Sequence, residues 1–525
     1  NAVDKYTMFT LENMLFYDKT FNDKHTLGVT LLQSIQEDKR ESVNVAMENL
    51  PADNLKYYDL GSGLVTNTIG SSMIKWNMAS FMGRINYNYL GRYLLTVSAR
   101  YDGSSRLADG HKWVLFPSAA LAWRINEESF MSSTSGWLDN LKLRLGFGKT
   151  GNSAVDPYQT KGTLSLIRYP FDNGGTPTIG YAPNAMANSL LTWETTDQWN
   201  LGIDFGVLRG RINGTIDLYM QNTHDLLLKR QLPVVSGFPD VLSNVGKTRN
   251  KGIEVSINSM NINSKDFQWT TDLMLSSNKE EIVELYNGKN DDIGSKWFIG
   301  QPVNVHYDYR KVGIWQNTES DLAEMAKFAA NGTEFAPGDI KIQDVNGDYK
   351  ITDADKQILG NPRPKLIASM VNTFNYKGFD LSVFLYASFG AMLYNDIYAV
   401  EHCGRNGGVK VDYWTPNNPT NAYPRPSIDE ERPIYITSTY YEKADFLRVK
   451  TMTLGYTLPK TLTNKFLVEK LRVYFTAQNP FIFTNYTGID PEAAKVNSAG
   501  NPETNGSGFG TPSVSSWIFG INLTL

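Results

Sequence analysis

The chain has 525 residues, room for roughly two to four ordinary domains or for one large closed β-architecture. Its 50 basic and 54 acidic residues leave a net charge of -4, so no broad basic face is implied and nucleic acid drops out as a partner. Cys403 is the only cysteine, which excludes a disulfide framework or a thiolate metal cluster; beside His402 it lacks a base and an orienting group and reads as an incidental loop residue.

Aromatic residues make up 12% of the chain (28 Tyr, 25 Phe, 11 Trp), yet mean hydropathy is -0.34. That pairing suits a protein with aromatic belts toward a membrane interface and a polar interior. No run approaches the ~18 consecutive apolar residues of a transmembrane helix, which leaves a β-barrel open. The opening NAVDKYTMFT has no basic n-region or apolar h-region. A signal peptide is therefore expected to have been removed, or the chain to begin within a longer polypeptide.

In chain order, a first strand is expected over about 6 to 18, followed by a polar excursion over 38 to 76. From Phe81, residues Phe81, Gly83, Ile85, Tyr87 and Tyr89 share one side and Met82, Arg84, Asn86 and Asn88 the other. After a turn at Leu90-Gly91-Arg92, Tyr93, Leu95, Val97, Ala99 and Tyr101 repeat the apolar face opposite Thr96, Ser98, Arg100 and Asp102. Polar stretches over 103 to 112 and 151 to 191 follow. Trp199, Leu201, Ile203, Phe205 and Val207 then oppose Asn200, Gly202 and Asp204, and past Arg209-Gly210 Ile212, Gly214, Ile216, Leu218 and Met220 oppose Asn213, Thr215, Asp217 and Gln221.

Beyond an excursion at 223 to 249 comes a longer one at 281 to 364, which carries the one metal-ligand constellation. In DVNGDYKITDAD, oxygen side chains stand at loop positions 1, 3, 5, 9 and 12 as Asp344, Asn346, Asp348, Thr352 and Asp355, with the Lys350 carbonyl at position 7. Hard oxygen donors at that spacing wrap one Ca²⁺, a structural ion that would stiffen an outer loop. Tyr349 stands where a turn glycine is usual and Asp355 where Glu is usual; the alternative is an Asp-rich loop closed by Asx turns. Without a cation, mutual repulsion among Asp344, Asp348 and Asp355 should splay the loop. The loop resembles dockerin-type sites, which also end in Asp.

No second constellation emerges. Glu127-Glu128 and Glu430-Glu431 read as solvated loop charges, since adjacent carboxylates on a strand point to opposite faces. His25, His111, His224, His306 and His402 are scattered without HxH or HExxH spacing. GRNGG at 404 to 408 lacks the strand-to-helix context of a phosphate loop. The aromatic stretch DYWTPNNPTNAYPR at 412 to 425 is open to two readings, substrate contact or packing for long loops. No residue set supports catalysis, so the chain is not expected to be an enzyme.

Leu471, Val473, Phe475 and Ala477 oppose Arg472, Tyr474, Thr476 and Gln478, and the final strand, about 515 to 525, sets Trp517, Phe519, Ile521, Leu523 and Leu525 against Gly520, Asn522 and Thr524. A soluble sandwich also alternates, but its strands run ~5–6 residues, whereas many here run about 10 to 14. Bacterial barrels end on the periplasmic side. Working back from the last strand, the long loops near 483 to 514, 391 to 443, 281 to 364, 223 to 249, 151 to 191, 103 to 112 and 38 to 76 all fall outside. The short turns near 91, 209, 264 and 377 fall inside. Arg84, Arg100, Asp217, Glu254 and Arg472 are placed in the lumen and Trp517, Phe519 and Leu523 toward lipid, provided 301 to 315 belongs to an outer excursion. The count is about fifteen spanning strands with both end strands running inward, an odd number that cannot close as a bacterial barrel. The missing strands are expected to come from elsewhere.

Several segments resemble the SusC/RagA family of TonB-dependent outer-membrane transporters: YDGSSRLADGHKWVLFPSAALAWRINEESFM (101 to 131), LKLRLGFGKTGN (141 to 152), WETTDQWNLGIDFGVLRGRINGTIDLYMQNTHDLLL (193 to 228), NVGKTRNKGIEVSIN (244 to 258), FLRVKTMTLGYTLP (446 to 459) and LRVYFTAQNPFIFTNYTGIDPEA (471 to 493). The resemblance implies an all-β transmembrane antiparallel β-barrel of about 22 strands with a plugged lumen and long extracellular loops, of which residues 1–525 supply about 15 C-terminal strands. It further implies location in the outer membrane of a Gram-negative bacterium and active import of oligosaccharides or oligopeptides. The implied partners are a SusD/RagB-like surface lipoprotein, and TonB-ExbB-ExbD reached through a plug and TonB-contacting segment that these residues do not contain. The final strand departs from the family by ending in Leu525 where an aromatic is usual. A passive porin or structural surface barrel remains the alternative.

Overall fold

The computed structural model describes residues 2–525 apart from 53, 55, 57, 172–177, 396–409, 428–432, 464, 466, 467 and 493–512. Cys403, His402, the GRNGG stretch and Glu430-Glu431 lie outside the described residues.

Fifteen strands form one antiparallel sheet in which each strand pairs with its sequence neighbours in the sheet. They are Ala2–Phe21, His25–Glu48, Val65–Tyr89, Tyr93–Ser104 and Trp113–Arg124, then Leu138–Asn152, Glu194–Val207, Ile212–His224, Lys247–Asn263 and Phe267–Glu284. The last five are Leu366–Tyr376, Phe379–Phe389, Phe446–Thr457, Lys470–Thr484 and Ser516–Thr524. Among the described residues no ladder joins the first strand to the last.

Short turns close one end of the sheet. Leu90-Gly91 and Lys377-Gly378 have positive φ at both positions (56° and 70°, 45° and 90°), the left-handed pair whose twist matches that of the flanking strands. The other end carries the longest connections, although 125 to 137 and 458 to 469 are more than tight turns at the first end, and within 281 to 364 the backbone bonds are made locally. His306–Asp308 pairs with Gln357–Gly360 and Lys311–Ile314 with Ile340–Ile342, so 301 to 315 does not span. A helix, Glu319–Ala330, starts where the Thr318 side chain accepts from the Asp321 N–H and turns Met325 and Phe328 inward. Among the described residues no helix is long and apolar enough to cross a membrane.

The register carries two unlike faces across the sheet. Ile85 pairs with Val97 and Val97 with Ala119; Leu145 pairs with Leu201 and Leu201 with Leu218; Phe475 pairs with Phe519. One residue along, Arg84 pairs with Ser98 and Ser98 with Ser118, Asp217 with Glu254, and Arg472 with Asn522. Trp517, Phe519 and Leu523 are exposed on the apolar face, at 58%, 82% and 54%. All five residues expected in the lumen fall on the polar face. The side chains buried as hydrophobic clusters pack chiefly in the loops, as in the group Ile314, Ile340, Ile342, Trp414, Ile436 and Tyr440. Both faces of the spanning sheet meet something other than a packed core.

Two expectations are corrected. The excursion at 38 to 76 is mostly sheet: the second and third strands run on to Glu48 and back from Val65, pairing with a single bulge near Met47. At 24 and 25 residues they exceed the ~9–11 needed to cross a bilayer and stand well above it. Glu128 is no free solvated charge. Its side chain is 12% exposed and accepts from the Tyr93 hydroxyl at 2.6 Å and the Trp123 indole at 3.0 Å, with Arg92 at 3.4 Å, tying the turn to the strand ends. These donors, Tyr93 first, hold its carboxyl below the usual carboxylate range.

Candidate functional site

The lumen face is a chain of ion pairs set by glycines. Arg144 lies between Asp204 (Nη2 to Oδ1, 2.7 Å) and Asp217 (Nη2 to Oδ2, 3.0 Å), although Asp217 stands two strands away. The strand between them carries Gly202 at that level, where a Cβ would come within 2.5 Å of the Arg144 Cζ and 2.6 Å of the Asp217 Oδ1. The same device recurs at Gly455, over which Arg472 reaches Asp380 at 2.9 Å and 2.5 Å. Farther round, Arg100 bonds Asp102 at 2.7 Å and the Ser80 hydroxyl at 3.0 Å. The charges are thus fixed side by side along the strands, facing a polar passage. The sequence marks Arg100, Asp217 and Arg472 by alternation, but not the glycines that let arginine and aspartate meet.

Above the membrane a buried ionic group ties the loops to the barrel. Arg448, 4% exposed, pairs with Asp490 at 2.5 Å and with Glu492 at 3.0 Å, and Lys450 also reaches Glu492. Burial alone would push the Asp490 carboxyl up, but the Glu492 and Ser513 N–H groups and Arg448 outweigh it and hold it down. These residues were not expected as a site. Their signal lay in GIDPEA, an acidic run just past an arginine-bearing strand pair.

The metal-ligand loop is folded tightly. Asp344 accepts from the Gly347 N–H (2.7 Å) and the Tyr349 N–H (2.8 Å), Asp348 from Lys350 N–H (2.8 Å), and Asn346 from Asp348 N–H (3.1 Å). Asp355 is fully buried and accepts from the Val345 and Thr352 N–H groups at 2.9 and 2.8 Å. These backbone donors spread the carboxylate charge and hold the turn together. Tyr349 adopts φ of 56°, the left-handed conformation a glycine would supply, and its ring is held edge-on to Phe328 at 5.4 Å. Among the described residues no group of three or more His, Cys, Asp or Glu side chains gathers as a metal site, so Asp344, Asp348 and Asp355 are brought into one turn but not around one point.

Within the aromatic stretch at 412 to 425, Trp414 is packing: it is 6% exposed and donates its indole N–H to Gln316 at 2.9 Å. A cavity of about 510 Å³ opens beside it, bounded by Phe335, Asp339, Ile351, Arg425 and Tyr435.

The profile of the family "TonB dependent receptor-like, beta-barrel" matches residues 4–479. The chain belongs to that family. It is 32% identical over 531 aligned positions to TonB-dependent receptor P3 of Formosa agariphila, covering 98% of this chain and 52% of the relative. To the TonB-dependent receptor SusC of Bacteroides thetaiotaomicron it is 35% identical over 434 positions, 79% of this chain and 41% of the relative. The structure of the RagAB peptide transporter shares the fold, with a TM-score of 0.82 at 22% identity over 99% of this chain and 56% of that one. Within the TonB-dependent receptors the chain is of the SusC/RagA type, an outer-membrane β-barrel. It spans about half the length of the curated relatives it matches.

Proposed function

We propose that the chain is the C-terminal barrel portion of an importer, driven through TonB, that carries oligosaccharides or oligopeptides across the outer membrane. The observation that supports this most is the lumen face. Ion pairs such as Arg144 with Asp204 and Asp217 line one side of a sheet whose other side is apolar, the arrangement of a strand wall between water and lipid. An open fifteen-stranded sheet has two edges of unpaired N–H and C=O groups, which lipid cannot satisfy. Further strands of the same polypeptide therefore close it, to about 22 in all, around a plug. The TonB-ExbB-ExbD machinery acts through that plug and its leading segment, and a SusD/RagB-like lipoprotein covers the folded outer loops. The likeness to SusC and to the RagAB peptide transporter supports this reading.

The test is uptake of labelled oligosaccharides and peptides by cells carrying the complete protein, with and without TonB. Import predicts uptake of one class that is lost without TonB. Uptake that persists at the same rate without TonB, together with a steady open pore in planar bilayers, would instead establish a passive porin.

We further infer that residues 344–355 take one structural Ca²⁺ through Asp344, Asn346, Asp348, the Lys350 carbonyl, Thr352 and Asp355, which requires the three carboxylates to draw together from the turn they already share. Each carboxylate already bound to N–H groups keeps lone pairs for a cation, and the left-handed Gly347 and Tyr349 give the sharp turns such loops need. Calorimetric titration with Ca²⁺ checks this: heat that is unchanged in Asp344→Ala with Asp348→Ala removes the ion from the account and leaves the importer reading untouched.

A further inference from the structure

Between the upper part of the strand Val65–Tyr89, the loop after Ser104 and residues 157–161 lies a cavity of about 460 Å³, within the ~300–1,000 Å³ of small-molecule sites. Trp76 lies in step with Ser80 and Arg84 on the lumen face, so the cavity stands at the outer mouth of the barrel, where substrate enters. Its lining includes the cationic residues Lys75, Arg106, Lys112 and Lys161 and the single carboxylate of Asp109, although the Lys75 side chain turns to the outer face of the sheet. Two of these cations are already paired, Lys75 with Glu37 at 2.9 Å and Lys112 with Asp109.

The other two are not. The Arg106 guanidinium carbon sits 3.8 Å from the Trp76 ring centroid, and its Nε is shut from solvent with no hydrogen-bond acceptor. Two carboxylates act on it through their fields: Asp38, which accepts instead from the Tyr6 hydroxyl, and Asp156, which forms no ion pair with it among the described residues. Lys161 likewise forms no ion pair among the described residues. An arginine resting on an indole is fixed in place while its N–H donors stay unspent, the arrangement that accepts a carboxylate or sulfate.

The rest of the wall fits a sugar better than a peptide. Tyr158, 46% exposed, is held at φ of 72°, a strained conformation for a residue other than glycine. Asn77, Ser105, Thr160 and Ser189 add short polar groups for hydroxyls. A peptide laid along the strand would need its free backbone edge. Yet the Lys75 N–H already donates to the Tyr158 hydroxyl at 3.2 Å, and Asn77 bonds Ser105 through both its N–H and its carbonyl.

Resting on the import reading above, we propose that this cavity is a subsite for an acidic sugar unit, its carboxylate or sulfate held by Arg106 and Lys161 and its ring set against Tyr158. The test uses the complete protein in detergent, titrated at low salt with tetragalacturonate and with the neutral maltotetraose. The acidic sugar is expected to bind roughly tenfold tighter or more, an advantage that salt erodes. Arg106→Gln with Lys161→Gln should abolish that advantage and leave neutral binding unchanged. Lys161→Gln alone, which cannot disturb the Trp76 stack, should already reduce it by about threefold. Equal binding of the two sugars, acidic binding untouched in the double variant, or tighter binding of tetra-aspartate through the same two residues would each overturn the assignment. TonB-dependent uptake of a neutral sugar or a peptide alongside any of these results would leave the importer standing. Selective acidic binding with TonB-independent uptake would remove the importer and keep the site.

Discussion

At the scale of single residues, the lumen depends on side chains that are absent as much as on those present. Arg144 reaches Asp217 only because Gly202 leaves the space between them open. Gly202→Val should prise the pair apart and expose two carboxylates to one another. The expected loss is about 1.5–3 kcal/mol, the usual worth of hydrogen bonds to charged groups. Urea unfolding of the complete protein in detergent micelles measures it, and a midpoint equal to wild type would show that the pair contributes nothing. Alternation alone placed Asp217 on the polar face, but a glycine in a strand looks the same whether it marks a bulge, a weak point or a doorway. The metal loop is a parallel case. The spacing of Asp344, Asp348 and Asp355 was legible, whereas the N–H donors that keep the loop folded are backbone groups that no side-chain pattern reveals.

At the scale of strands, the sequence was clearest where lipid imposes an apolar face. Trp199 to Val207 and Ile212 to Met220 sit in the register their alternation implies. It was least clear above the membrane, where neither face need be apolar. Glu37, Lys39, Glu41 and Lys75 occupy the outer face of the tall second and third strands as ion pairs, so a stretch of sheet reads as a polar loop. A cysteine placed at 217 should react with a membrane-impermeant maleimide in the Cys403→Ser background, and one at 218, pointing to lipid, should not. The reverse pattern would mean that the register is displaced by one residue, since a one-residue slip exchanges the faces. Leu218→Arg gives the energetic counterpart, with an expected cost of ~2–4 kcal/mol if that position is near the bilayer midplane.

At the scale of the whole molecule, the parity argument and the sheet agree on fifteen strands, and the loops fold as small units over one end. What the pattern could not convey is the loop interior. Residues such as Trp414 and Tyr440 are buried by long-range packing between 314, 414 and 440, with no periodicity to announce it. The central claim is that this sheet is part of a larger closed wall. Cryo-electron microscopy of the complete protein in a nanodisc tests it most directly. The account predicts that Ala2–Phe21 and Ser516–Thr524 are each hydrogen-bonded along their outer edges to further strands of the same polypeptide, enclosing a plug. A barrel closed by direct pairing of Ala2–Phe21 with Ser516–Thr524 would contradict it.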